Sequence, residues 1–122
     1  MSKIIILVLS LFLYSKYLLA MDFLECIQDV PITNKIIEIK ESCFVFDSDT
    51  GKIISVEAEF LSSNIEVLNF YKTILIQFDW DLKTEKNSKA LVFQRDNEIL
   101  KININNNIII FNSFLSFKNN SE

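Results

Sequence analysis

The sequence predicts an α+β domain. It is read as an antiparallel sheet of about five strands in the order β-β-α-β-β-β, with one amphipathic helix over residues 64–78 on one face. Three observations carry this. Short β-type runs are joined by turns of a few polar residues, which only antiparallel neighbours can use. A single segment, 64–78, switches to a 3.6-residue apolar period. Leu100, Ile102 and Ile104 alternate with Lys101 and Asn103, so the sheet should have one buried and one wet face.

Residues 1–20, MSKIIILVLSLFLYSKYLLA, stand apart from that pattern. Lys3 supplies a positive start, an apolar run over 4–14 is broken only by Ser10, and Ser15-Lys16 precedes Tyr17-Leu18-Leu19-Ala20. This is the order of a secretory signal peptide, with Ala20 as the small residue before the cut and Met21 as the first mature residue. The apolar run falls short of the roughly 20 residues a spanning helix needs. The alternative is an uncleaved signal anchor over 4–20, making an inner-membrane accessory protein with a periplasmic domain; contact with the membrane depends on that. A lipoprotein does not fit, because Cys26 follows Glu25 where such processing wants a small residue.

Residues 21–122 are expected to form a single α+β domain, with 21–34 an extended arm and 118–122 a frayed tail. The arm has no clear period, and Pro31 keeps Val30 out of helix. Residues 36–40 suit a short strand, and 43–47 and 52–60 two more. Between the latter, Asp47-Ser48-Asp49-Thr50-Gly51 is turn chemistry, with Gly51 free to take positive φ. Ser63 and Glu66 form a capping box at the start of the helix. Val67, Leu68, Tyr71, Ile74, Leu75 and Phe78 then fall on one arc, opposite Glu66, Asn69, Thr73 and Gln77. Ile65, Phe70 and Ile76 sit on the flanks, so the apolar stripe is wider than one sheet face requires. They are either edge packing or an interaction surface.

After the helix, 79–88 reads as a polar connector interrupted by Trp80 and Leu82. Runs 90–95 and 98–104 flank Asp96-Asn97, a two-residue hairpin turn. Asn105-Asn106-Asn107 make the next turn, and 108–117 the last strand.

Composition narrows the chemistry. The chain has 122 residues, 50% of them apolar, and a net charge of −4. Every acidic residue lies after position 20 and two lysines before it, so the segment expected to fold carries −6. That balance argues against a nucleic-acid partner. The chain has no histidine, which removes the usual general base near neutral pH and the commonest nitrogen ligand for metals. A Ser-His-Asp or Cys-His arrangement therefore cannot be built from this chain. One glycine and one proline rule out glycine-rich phosphate loops. The abundance of Ile, Asn, Lys and Phe follows AT-rich codons and carries no functional meaning.

In an exported domain, Cys26 and Cys43 suit a disulfide; the alternative is a buried Cys43 beside Phe44 with Cys26 free. Asp47-x-Asp49-x-Gly51 resembles the start of a calcium loop, but Ala58 stands where such a loop ends in Glu, and a hairpin turn explains the same letters. Glu57 and Glu59 share a strand face, as paired catalytic carboxylates would. Their alternation with Val56, Ala58 and Phe60 reads more simply as a solvent face. Tyr71 and Trp80 invite ligand stacking and suit core packing better. No catalytic residue, metal site or cofactor is expected.

Asp29-Val30-Pro31, Phe46-Asp47 with Gly51-Lys52-Ile53, and Val67-Leu68-Asn69-Phe70-Tyr71 with Trp80 together resemble a family of small exported proteins of alphaproteobacteria. Its pattern is a D-[IV]-P start, an F-D-x-x-x-G-[RK]-I hairpin and a helix carrying F-Y that ends near Gly-Trp. The likeness covers nearly all of the chain after residue 20. At Asp79 the chain departs from it, since the family has Gly there, which leaves the tightness of the turn before Trp80 open. The family has no assigned biochemistry, so the resemblance implies an exported compartment and a bacterial lineage. The expected protein is a small non-enzymatic periplasmic or secreted module, a binding or accessory partner for an envelope protein or for itself.

Overall fold

The computed structural model describes residues 21–117; the expected signal segment with Ala20, and the tail at 118–122, lie outside the described residues. Two short strands, β1 (Asp22–Phe23) and β2 (Pro31–Ile32), pair as a ribbon. Then follow β3 (Ile36–Asp47), β4 (Gly51–Phe60), helix α1 (Asn64–Ile74) with a 3-10 turn (Leu75–Phe78), β5 (Asp81–Lys86), β6 (Ala90–Arg95), β7 (Glu98–Asn105) and β8 (Ile108–Ser116). The main sheet is six-stranded and antiparallel throughout, ordered β3-β4-β8-β7-β6-β5. The α+β class is as expected, but the main sheet has six strands rather than five.

The additional strand lies where a connector was expected. Asp81–Lys86 is wholly exposed and four of its six residues are charged, so it carries no apolar alternation. It pairs with β6 as an edge strand, with an irregularity between Leu82 and Thr84. The positive φ of Asn87 and Ser88 closes that hairpin.

The two runs at 36–40 and 43–47 fuse into one strand, β3, whose register against β4 shifts between Ile39 and Phe44. Ser42 fills the gap: its hydroxyl accepts from the Glu57 N–H at 2.8 Å, replacing a ladder bond that the bulge interrupts. At Gly51 the expectation fails differently. Its φ is not positive. Glycine is needed because a Cβ there would overlap the Leu115 carbonyl oxygen on the neighbouring strand.

The helix begins as expected, with Ser63 Oγ accepting from the Glu66 N–H at 3.2 Å. The reciprocal half of the capping box is replaced: the Glu66 carboxylate lies 3.9 Å from Lys35 Nζ. The α-helix stops at Ile74 rather than continuing to Phe78, and the last turn tightens to 3-10. Asp79 then adopts the left-handed conformation (φ 69°). Its N–H donates to the Ile76 carbonyl, and that of Trp80 donates to the Leu75 carbonyl at 3.1 Å. The turn is tight without glycine.

Alternation places Val56, Ala58, Phe60, Leu91, Phe93, Leu100, Ile102, Ile109 and Phe111 on the inner sheet face, all buried. The helix covers this face with Val67, Leu68, Tyr71 and Leu75. It does not do so alone. The arm is a turn-bearing ribbon, not simply extended, and it buries Leu24, Ile27 and Val30 in the same core. Burial of this order, at about 25 cal/mol per Å² of apolar surface, is what holds the layers together.

Candidate interaction surfaces

The arm is pinned at four points, three of them through the disulfide, Glu38 and Arg95 and the fourth through Tyr71. Cys26 and Cys43 form a disulfide with Cα atoms 5.8 Å apart, joining the arm to the bulge of β3. The Glu38 carboxylate accepts from the backbone N–H groups of Glu25 at 2.7 Å and Cys26 at 3.0 Å. Arg95, the sole arginine of the chain, pairs with Asp29 on the arm and with Glu98 on β7, the latter at 3.0 Å. The same guanidinium lies 4.1 Å from the centroid of the Trp80 ring and donates to the Phe78 carbonyl at 2.9 Å. Burial disfavours the charged guanidinium, but the two carboxylates outweigh it and raise its pKa above the ordinary value. Trp80 is buried, and its indole N–H has no acceptor among the described residues. Sequence reasoning passed over this cluster; a lone arginine in a lysine-rich chain was the available signal.

Tyr71 is a core residue. Its ring packs edge-on against Phe70 and Phe111, and its hydroxyl donates to the Pro31 carbonyl at 2.9 Å, tying helix to arm. Burial pushes the phenol well above its ordinary pKa. Neither Tyr71 nor Trp80 faces solvent.

Of the three flanking residues, Ile65 and Ile76 stand 65% and 60% exposed. Phe70 is half-buried and packs against the core, lining a groove of about 270 Å³ with Ile36, Val67 and Thr33. The groove lies between the arm's exit and the first half of the helix. Leu61 and Ile65, both exposed, flank that end of the helix. Ile76 belongs to the 3-10 turn at the opposite end, so the three residues do not form one patch. Met21, the expected first mature residue, is exposed beside β1.

No helix among the described residues covers the outer sheet face. The register sets Phe46, Ile53, Phe114 and Ile99 in one row across β3, β4, β8 and β7. Phe44 lies in the next row, which three strands away also holds Lys101, whose ammonium sits 5.3 Å from the Phe114 ring centroid. Glu57 and Glu59 are exposed on the same face, on an open sheet surface instead of in a cleft. In the 47–51 turn, Ser48 organises the backbone: its N–H and hydroxyl both donate to the Gly51 carbonyl, at 2.9 and 3.1 Å. Among the described residues no group of three or more His, Cys, Asp or Glu side chains is placed to hold a metal. No helix among them is long and apolar enough to cross a membrane.

No family model, no curated protein and no solved structure matches this chain.

Proposed function

We propose that this chain is an exported, non-enzymatic binding or accessory module of the bacterial envelope, working in the periplasm once residues 1–20 are removed. The observation that carries it is a disulfide-stapled frame that leaves a groove open at Phe70 between arm and helix, where Ile36, Val67 and Phe70 stand among polar residues such as Lys35 and Glu66. A disulfide is durable in an oxidising compartment and rare in a reducing one. The hydrogen bond from the Tyr71 hydroxyl to the Pro31 carbonyl, just before Thr33, ties one wall of the groove to the helix, and preorganisation of that kind favours affinity. The partner is an envelope protein that inserts an apolar side chain at Phe70 and covers Ile65 and Leu61.

A photo-reactive residue in place of Ile65, carried on the full chain in its native cell, tests this. The expected product is one discrete adduct with an envelope protein, lost when Phe70→Asp is added. Intact mass of the same sample should start at Met21 and be two hydrogens short of the dithiol. A mass that retains residues 1–20 would instead establish the signal-anchored form, and free thiols would remove the export argument.

A further inference from the structure

We propose that the outer face of the sheet, over which the described residues lay no helix, is covered by a second copy of this chain, packed face to face about a two-fold axis running along β8. This pairing rests on the contact role proposed above and names the partner for its other surface. Phe44, Phe46 and Ile37 are each more than half exposed on this face, and Ile53 and Ile99 are more than a third exposed. An apolar surface of this kind on one side of a small domain marks a contact site.

The strand order selects the occupant. A two-fold axis along β8 lays β4 over β7 of the other copy and β3 over its β6, because these strands flank β8 symmetrically. Row by row, Ile53 then meets Ile99 of the other copy, Phe114 meets its own counterpart, Phe44 meets Val92, and Phe46 meets Gln94. Glu57 and Glu59 face the amides of Asn103 and Asn105, and Lys101 lies one row from Glu57. No carboxylate faces a carboxylate, and no ammonium an ammonium. An axis across the strands at mid-strand, level with Val56, fails this check: it lays each strand on itself and sets Ile53 against Glu59.

Size agrees. Five strands about 4.8 Å apart and roughly eight residues long project about 650 Å², close to the roughly 800 Å² per partner of a stable interface. Growth by edge pairing is blocked: β5 is charged along its length and β3 is broken by its bulge beside Lys40 and Glu41. Pairing by faces closes after two copies. The product is a sandwich with both helices outward, so the two grooves at Phe70 lie on opposite outer faces and both stay open.

Sedimentation of the protein expressed from the full-length chain and purified oxidised, at about 100 µM, tests the pairing. A dimer is expected. Ile53→Glu should weaken association at least tenfold, and Ile99→Lys added to it should restore the dimer by setting the new carboxylate against the new ammonium. Far-UV circular dichroism must match the unsubstituted protein in each case. A monomer at that concentration overturns the pairing, as does a dimer that Ile53→Glu leaves intact or one that the double substitution does not recover. A monomer that still cross-links through position 65 leaves the envelope-binding role standing. A cross-link from position 53 to a foreign protein makes that protein the occupant of the face instead.

Discussion

The two faces of the main sheet are built from the same strands by the same alternation, yet they end in opposite environments. On β8, Ile109 and Phe111 point inward and are fully buried, while their neighbours Ile108 and Ile110 point outward and are only half-buried. On β4, Val56 and Ala58 are buried and Ile53 is exposed. What differs is the cover: helix and arm on one side, nothing from the described residues on the other. Alternation tells which side chains share a face, but the wetness of a face is decided by what the rest of the chain lays over it.

The largest expected contrast comes from truncating one aromatic on each side. Phe111→Ala removes a fully buried ring in contact with Tyr71 and should cost about 3–5 kcal/mol. Phe44→Ala, on the outer face, should cost less than about 0.5 kcal/mol. Urea denaturation at protein concentrations low enough to keep copies apart compares them directly. Equal losses would mean the outer face is covered within a single chain.

Next in size is the staple that holds half of the inner cover in place. Replacing both cysteines by serine (Cys26→Ser with Cys43→Ser) should cost about 3 kcal/mol in the chain-entropy account. The loss should be uneven. Amide exchange at Leu24, whose N–H donates to Val30, should quicken well before that of the β7–β8 ladder. Uniform quickening would show the arm to be integral to the core rather than pinned upon it.

Much of this division was legible in the sequence. The helix start at Ser63, the Asp96-Asn97 turn and the buried phase of β7 all follow from local chemistry and periodicity, and all stand where expected. Three features did not show. Strand β5 is exposed on every residue and charged on four of its six, so its identity rests on pairing with β6, a non-periodic signal. Gly51 is required by the approach of β8, a strand more than fifty residues away in sequence, and not by its own turn. Arg95 joins arm, helix end and β7 through partners up to 66 residues distant. Of the candidate surface, the exposure of Ile65 and Ile76 could be read from the helical wheel. The groove at Phe70 could not, because its other wall is the arm.

A smaller effect tests how dry the inner face is. Tyr71 is the only tyrosine after residue 20, so phenolate absorbance of the processed domain reports one group. Burial raises its pKa above the ordinary value of 10.0. The folded state therefore keeps its proton while the unfolded chain releases it. The stability this gives is complete below pH 10 and is lost as pH rises from there toward the folded value, at up to about 1.4 kcal/mol per pH unit. Ionisation should come late and coincide with loss of circular dichroism. A simple titration near pH 10 in the folded protein would mean that water reaches the inner face. Tyr71→Phe should abolish the coupling while costing about 1 kcal/mol through the lost bond to the Pro31 carbonyl.

The smallest effect concerns the way the inner cover ends. Asp79 holds a left-handed conformation that costs a side-chain-bearing residue about 1 kcal/mol. It also places a carboxylate at the negative end of the preceding helix, where a cation is preferred. Its side chain is exposed, so little is lost with it. Asp79→Gly should therefore stabilise the domain by about 0.5–1 kcal/mol, the relief of backbone strain exceeding the added freedom of the unfolded chain. Asp79→Asn separates the two contributions, since it removes the charge while retaining a side chain tolerant of this conformation. A gain of a few tenths of a kcal/mol from Asn and a larger one from Gly, read as shifts in the denaturation midpoint, would assign most of the penalty to backbone geometry. Equal gains would assign it to the charge, and the turn before Trp80 would then be as relaxed with aspartate as with glycine.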